Sequence, residues 1–212
     1  MTSRTFYHVP SPSPSNPTPT ATPITIDPSN FNLTTTPGTD LWRPSFTGDR
    51  FDAPYIYTPV RSGSFINLTT TISGAWKSKF DQGCLLLYWP STKQNESKWL
   101  KAGIEFFEGR PALSVVGTDR LSDWSLCPLL EEGDGPGEAT LRVEREGSTL
   151  WVSAVLEGGE KRALREIKWA WTEGREADAE LWVGVCVAKP AEEEGEGELE
   201  VTFRNWKLEV KE

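Results

Sequence analysis

The side chains best placed to do chemistry are Trp99, Lys101 and Glu105, which fall on one phase of an alternating segment. If residues 99–107 form a strand, successive side chains point to opposite faces. Trp99, Lys101, Gly103, Glu105 and Phe107 then share one side, and Leu100, Ala102, Ile104 and Phe106 share the other. The second side is an ordinary core face. The first mixes aromatic rings with a cation and a carboxylate around a glycine, which suits the wall of a groove better than a dry interior.

A carboxyl group in such a groove points to acid–base chemistry. Cleavage of a glycosidic bond uses two carboxyl groups about 5 to 9.5 Å apart, one of them kept protonated by its surroundings. Asp123, in Ser122-Asp-Trp124, is the expected catalytic partner of Glu105, with Trp99 and Trp124 stacking on sugar rings. The competing arrangement pairs Glu105 with Lys101, two positions along the same face, and leaves Asp123 to cap a turn. Trp182 joins the groove candidates because it alternates with the core-facing Leu181, Val183 and Val185. Trp151, Trp169, Trp171 and Trp206 read as core or sheet-face packing, where large aromatics dominate. The acidic cluster Glu176-Ala-Asp-Ala-Glu180 follows Gly174 and Arg175 and reads as solvated turn chemistry.

Composition excludes several alternatives. His8 is the single histidine, beside a proline-rich stretch, so Ser-His-Asp and Cys-His nucleophiles, His general bases and His-ligated zinc are not expected. No glycine motif follows a strand and opens a helix, so no phosphate cradle is expected. No loop offers a dense Asp/Asn run for calcium, and neither a metal nor a cofactor is expected. A net charge of -9 without a basic stripe argues against nucleic acid and anionic membrane. The acidic runs at 131–134 and 192–196 read as solvated loops that discourage edge pairing. Cys84, Cys127 and Cys186 are three cysteines at irregular spacing, which fits buried reduced thiols rather than a disulfide framework. With no signal-peptide run or long apolar stretch, a soluble cytoplasmic protein is expected.

These side chains must be held by strands. Six prolines between positions 10 and 23 predict a disordered Pro/Ser/Thr-rich leader over residues 1–25, followed by one domain over 26–212. Strands are predicted at 51–60, 64–73, 83–89, 99–107, 113–118, 140–145, 149–156, 163–171, 181–188 and 199–210. Residues 83–89 are apolar on both faces, as in a central covered strand. The apolar phase of the last strand slips by one residue near Arg204 and Asn205, which predicts a β-bulge. About ten strands with regular turn signals and no parallel-sheet helices predict an all-β, antiparallel two-sheet sandwich.

The ordered motifs Phe80-Asp-Gln-Gly-Cys-Leu-Leu-Leu-Tyr88, Lys98-Trp-Leu-Lys-Ala-Gly-Ile-Glu-Phe106, Leu113-Ser-Val-Val116, Ser122-Asp-Trp-Ser125, Leu141-Arg-Val143 and Leu181-Trp-Val-Gly-Val185 resemble the regulation-of-enolase-protein family. That is a concanavalin A-like family of unknown function, common in fungi. The resemblance covers roughly residues 40–210. It implies a jelly-roll sandwich, a cytoplasmic protein and a link to regulation of a glycolytic enzyme, without an established active site. It places Asp81 and Gln82 beside Trp99, Lys101, Glu105 and the Ser122-Asp-Trp124 motif around a shared groove. Cys84 departs from the alanine more usual there.

Two functions follow as expectations. The first is a regulatory binding protein whose groove, lined by Gln82, Trp99, Lys101, Trp124 and Trp182, holds a small metabolite, a glycan or a segment of a protein partner. The alternative is a carboxylate-dependent enzyme using Glu105 and Asp123, either hydrolase- or lyase-like on a glycan or a cyclase or isomerase acting on a metabolite.

Overall fold

The computed structural model describes residues 4–45, 48–93, 96–129, 137–171, 179–192 and 197–211. The acidic runs at 131–134 and 193–196, and most of the cluster at 176–180, lie outside the described residues. In chain order the strands are β1 (Phe6–Val9), β2 (Thr22–Ile24), β3 (Asn30–Thr35), β4 (Leu41–Ser45), β5 (Gly48–Phe51), β6 (Tyr55–Arg61), β7 (Phe65–Gly74) and β8 (Gln82–Trp89). They continue with β9 (Lys98–Phe107), β10 (Arg110–Thr118), β11 (Ser122–Pro128), β12 (Glu138–Glu146), β13 (Thr149–Val155), β14 (Lys161–Ile167), β15 (Glu180–Ala188) and β16 (Leu199–Val210). Pairing is antiparallel throughout, as the sequence predicts.

An eight-stranded sheet runs β11-β10-β9-β8-β15-β6-β1-β2, and a six-stranded sheet runs β14-β13-β12-β7-β16-β3. Their facing surfaces interdigitate in one core that includes Leu85, Leu87, Leu100, Ala102, Ile104, Val183 and Val185 from the first sheet. Phe65, Leu68, Ile72, Leu141, Val143, Val201 and Phe203 come from the second. The alternation of β9 is therefore realised: its aliphatic phase faces the partner sheet, and Trp99, Lys101 and Glu105 face outward.

The outward face is nevertheless covered. A short hairpin, β4 with β5, lies on it and buries Leu41 against Cys84, Leu86, Trp99, Cys186 and Ala188. This second layer explains why β8 is apolar on both faces. The hairpin is tied down by Arg43, whose side chain is completely buried. Its guanidinium forms an ion pair with Asp49, donates to the carbonyls of Asp119 (2.9 Å) and Ser97 (2.8 Å), and lies 4.8 Å from the centre of the Trp99 ring.

The expected disordered leader is instead built into the sheet. Phe6–Val9 pairs with β6 on one side and with Thr22–Ile24 on the other. Phe6 packs edge-on to Trp206 at 5.2 Å, and Tyr7 stacks on Tyr57 at 5.5 Å. The prolines between these strands occupy their connection, and Pro23 sits on the edge strand, where a missing N–H is tolerated. Proline counting missed the aromatic and β-branched residues of 6–9, which have surface to bury. Three further strands, β3, β4 and β5, precede β6, the first strand expected from the sequence. In β16 the register slips between Arg204 and Lys207, with Asn205 at φ 55°, which is the expected bulge. No helix among the described residues is long and apolar enough to cross a membrane.

Candidate functional site

A cavity of about 270 Å³ opens beside the hairpin on the outer face of the eight-stranded sheet. Asp40, Trp42, Phe80, Gln82, Lys101, Glu105, Val116, Trp124 and Pro190 line it. β9 supplies Lys101 and Glu105, and β8 supplies Gln82, whose backbone register places it directly opposite Glu105. β11 supplies Trp124, while the start of β4 supplies Asp40 and Trp42. Gly103, between Lys101 and Glu105, is required by the neighbouring backbone rather than by a ligand: a Cβ there would lie 1.9 Å from the Gly83 carbonyl oxygen.

Lys101 is almost fully buried. Its Nζ donates to Asp40 Oδ1 at 2.9 Å and to Gln82 Oε1 at 2.6 Å, and Gln82 Nε2 is anchored on the Phe80 carbonyl at 3.1 Å. Burial is the largest single influence on the ammonium and works to lower its pKa. The nearby Asp40 carboxylate, with Cys84 and Glu105, outweighs it, so the net shift is upward and the group stays charged.

Glu105 occupies the neighbouring position. Its Oε2 accepts from Ser114 Oγ at 2.6 Å and from Trp124 Nε1 at 3.0 Å. Burial pushes the carboxyl pKa up. Lys101 and the Ser114 and Trp124 hydrogen bonds oppose that shift, Asp40 adds to it, and the balance remains upward. An acid whose pKa is raised by folding binds more protons folded than unfolded, so its contribution to stability falls as pH rises from the ordinary carboxylate range through the folded value. Glu105→Gln keeps acceptors for Ser114 and Trp124 without the buried charge. Thermal unfolding across acid to neutral pH should show the variant matching the parent in acid and melting a few degrees higher at neutrality.

The wall is held by a second polar cluster. Lys189 Nζ reaches Asp81 Oδ1 (3.1 Å) and Ser78 Oγ (2.7 Å), while Asp81 Oδ2 accepts from the backbone N–H groups of Lys77 and Ser78. This cluster fixes the loop that presents Phe80. That residue has φ 70°, a left-handed conformation locked by its N–H on the Phe106 carbonyl at 2.7 Å.

The structure thus brings together Gln82, Lys101, Glu105 and Trp124, and separates three other expected site residues. Trp99 shares the face but is completely buried beneath the hairpin, edge-on to Phe51 at 5.2 Å, so no ligand reaches it. Trp182 lies on the same face farther across the sheet, stacked on Tyr57 at 4.4 Å, and does not line the cavity. Asp123 is the clearest correction. Alternation along β11 turns Trp124 into the cavity and therefore Asp123 away from it, to an exposed position where its carboxylate pairs with Arg165 at 2.8 Å. The Glu105–Asp123 pair does not exist. Nor is Glu105 the partner of Lys101. The second carboxylate of the cavity is Asp40, and its Gly38-Thr-Asp40 context reads in sequence as a turn. Trp42, Phe80, Ser114, Val116 and Pro190 were also missed. Of these only Ser114 carried a signal, as a hydroxyl between Ala112 and Val116 on the outward phase of its strand.

These features define a concanavalin A-like antiparallel sandwich with a polar-floored, aromatic-walled cavity on the outer face of its larger sheet. The chain belongs to the family described as "Protein of unknown function (DUF1349)", which matches residues 18–211. It is 36% identical over 184 residues to the uncharacterized protein AN7484 of Emericella nidulans, covering 86% of this chain and 88% of that one. It is 29% identical over 176 residues to Regulation of enolase protein 1 of Saccharomyces cerevisiae, covering 83% and 79%. A functionally unknown protein from Saccharomyces cerevisiae superposes with a TM-score of 0.68 at 25% identity, over 89% of this chain and 91% of that one. The alginate lyase from Klebsiella pneumoniae superposes at 0.61 with 8% identity, over 98% and 95%, and shares the fold.

Proposed function

We propose that this protein binds a small, uncharged, hydroxyl-bearing ring, of the chemical class of a sugar or cyclic polyol, in the cavity beside the hairpin. One observation carries the reading: Trp42, Phe80 and Trp124 surround a floor on which Lys101 and Asp40 already neutralise each other. Flat apolar walls complement the C–H faces of a ring, and Gln82, Lys101 and Glu105 offer hydrogen bonds to its hydroxyl groups. Glu105 adds a second carboxyl group beside that balanced pair, so an anionic ligand is disfavoured. The volume suits one ring rather than a long chain. A regulatory role and a cytoplasmic location belong to the same reading, supported by the regulation-of-enolase relative and by three free cysteines. The acidic net charge favours such a ligand over nucleic acid or membrane.

A thermal-shift panel of glucose, mannose, xylose, glucuronate and myo-inositol tests this. At a concentration about 100-fold above Kd, a bound sugar stabilises by about 2.7 kcal/mol, a shift of roughly 5–11 °C for a chain of this size. The shift should be confined to uncharged members and lost in Trp42→Ala. Absence of any shift at 50-fold higher sugar, or one unchanged in Trp42→Ala, overturns the reading.

The presence of two carboxyl groups in one cavity favours a second reading, in which Glu105 and Asp40 move a proton on the bound ring. Exchange of a carbon-bound hydrogen of the stabilising sugar in D2O, abolished by Glu105→Gln, would separate turnover from binding.

A further inference from the structure

Cys84 on β8 and Cys186 on β15 stand directly opposite each other in the antiparallel ladder. Both are almost completely buried, in the layer that Leu41 of the hairpin covers, and Cys186 is the largest influence on the Cys84 thiol. Directly opposed residues of an antiparallel pair have Cα atoms about 4.5–5.5 Å apart, inside the ~4.4–6.8 Å that a disulfide spans. Opposed Cβ atoms lie about 4.5–5.5 Å apart and a disulfide holds them at ~3.5–4.5 Å, so the two strands need draw together by no more than about 1–2 Å for the sulfurs to bond. The charged neighbours of Cys84 are Lys101 and Glu105, both of which line the cavity, so the pair lies behind the cavity floor.

We propose that Cys84 and Cys186 form a redox modification site, a reversible cross-strand disulfide closed by hydrogen peroxide entering through the cavity. The sulfur of one cysteine attacks the peroxide O–O bond, giving a sulfenic acid and releasing one water. The second sulfur then attacks the sulfenic sulfur, expelling its hydroxyl as a second water as the S–S bond forms. Two thiols and one hydrogen peroxide thus become one disulfide and two waters, with sulfur oxidised and peroxide oxygen reduced. A thiol reductant reverses the bond by exchange. The neighbouring Cys186 thiol and burial hold the Cys84 thiol well above its ordinary range, despite Lys101, so the reduced pair is slow to react. Oxidation is expected over minutes to hours rather than seconds. Cys127 supplies an internal comparison: it is half-buried on β11 and opposite Leu113, with no thiol across the ladder.

The test reads sulfur and not ligand, so it succeeds or fails independently of the sugar-binding reading. The full chain is exposed to millimolar hydrogen peroxide, unfolded in N-ethylmaleimide, digested and mapped by mass spectrometry. The expected product is a cross-linked peptide pair containing Cys84 and Cys186, lighter by two hydrogens than the reduced pair and restored by dithiothreitol. The intact oxidised chain should also melt at a higher temperature, because the bond ties two central strands across a long loop. Recovery of Cys84 and Cys186 both alkylated, either one as sulfinic acid without the cross-link, or a cross-link to Cys127 instead would overturn the proposal. In Cys84→Ala, an intramolecular cross-link formed by Cys186 at the parent's rate would count against it equally. Mapping of the parent chain decides the question even where that variant folds poorly.

Discussion

Lys101→Met is expected to lower the melting temperature by roughly 6–20 °C. The substitution keeps the length and most of the volume of the side chain but removes its charge. Asp40, whose side chain is 15% exposed, then has no counter-ion, and Gln82 Oε1 loses its donor. Breaking one side of a buried ion pair costs about 3–5 kcal/mol because the remaining charge is left desolvated, and 1 kcal/mol moves Tm by about 2–4 °C in a chain of this size. The diagnostic result is recovery. Lys101→Met combined with Asp40→Asn removes both charges and should regain much of the loss, whereas additive losses would mean that Lys101 stabilises through packing alone. The pH sign follows from the upward shift of Lys101: its contribution is fully present below the ordinary lysine value of 10.5 and is lost only as pH rises through the higher folded value. Titration near neutrality therefore cannot imitate the mutation; pH dependence there comes from Glu105 and from His8, whose pKa burial lowers.

Arg43→Met should be comparably damaging, by about 3–5 kcal/mol, yet act on a different part of the molecule. It strips the Asp119 and Ser97 carbonyls of their donor, leaves Asp49 unpaired and removes the cation above Trp99. The carbonyl and ring contacts fasten the β4–β5 hairpin to the sheet, and the Asp49 pair ties its two strands to each other. Amide exchange should accelerate first across residues 41–51, before the strands of the inter-sheet core, and the cavity should lose its ligand because Asp40 and Trp42 arrive with the hairpin. Arg43→Lys keeps a charge but not the planar fork that contacts Asp49 and both carbonyls, so it should recover less than half of the loss. Uniform exchange along the whole chain would show instead that the hairpin is no separate unit.

The two effects share an origin in the outer layer of the molecule. The inter-sheet core is apolar and redundant, so a single change within it removes one contribution among many. The outer layer depends on buried cations: Lys101 reaches Asp40 at the start of the hairpin, and Arg43 on the hairpin reaches the Asp119 and Ser97 carbonyls beside the sheet strands. Whatever binds in the cavity is coupled to that attachment, since one wall of the cavity is the hairpin itself.

What the residues determined unaided was periodic. Alternation along 99–107 and 83–89 placed each side chain on its face, and the phase slip in the last strand located the bulge, because the two-residue repeat of a strand is written locally in the chain. The grouping of Lys101, Glu105, Gln82 and Trp124 was legible for the same reason, aided by the family's ordered motifs. What lies on top of a face is not periodic. Trp99 and Lys101 occupy equivalent positions on one strand. One is sealed and the other lines a cavity only because a hairpin from residues 41–51 folds over the first. The catalytic partner assigned to Glu105 failed on the same ground. Asp123 is adjacent in sequence to a cavity residue and for that reason faces the other way, while Asp40, 65 residues upstream, is delivered by tertiary packing alone. Side-chain direction is a local property of the backbone, whereas enclosure, ion pairing and the proton affinity of Glu105 depend on which distant segment excludes the water.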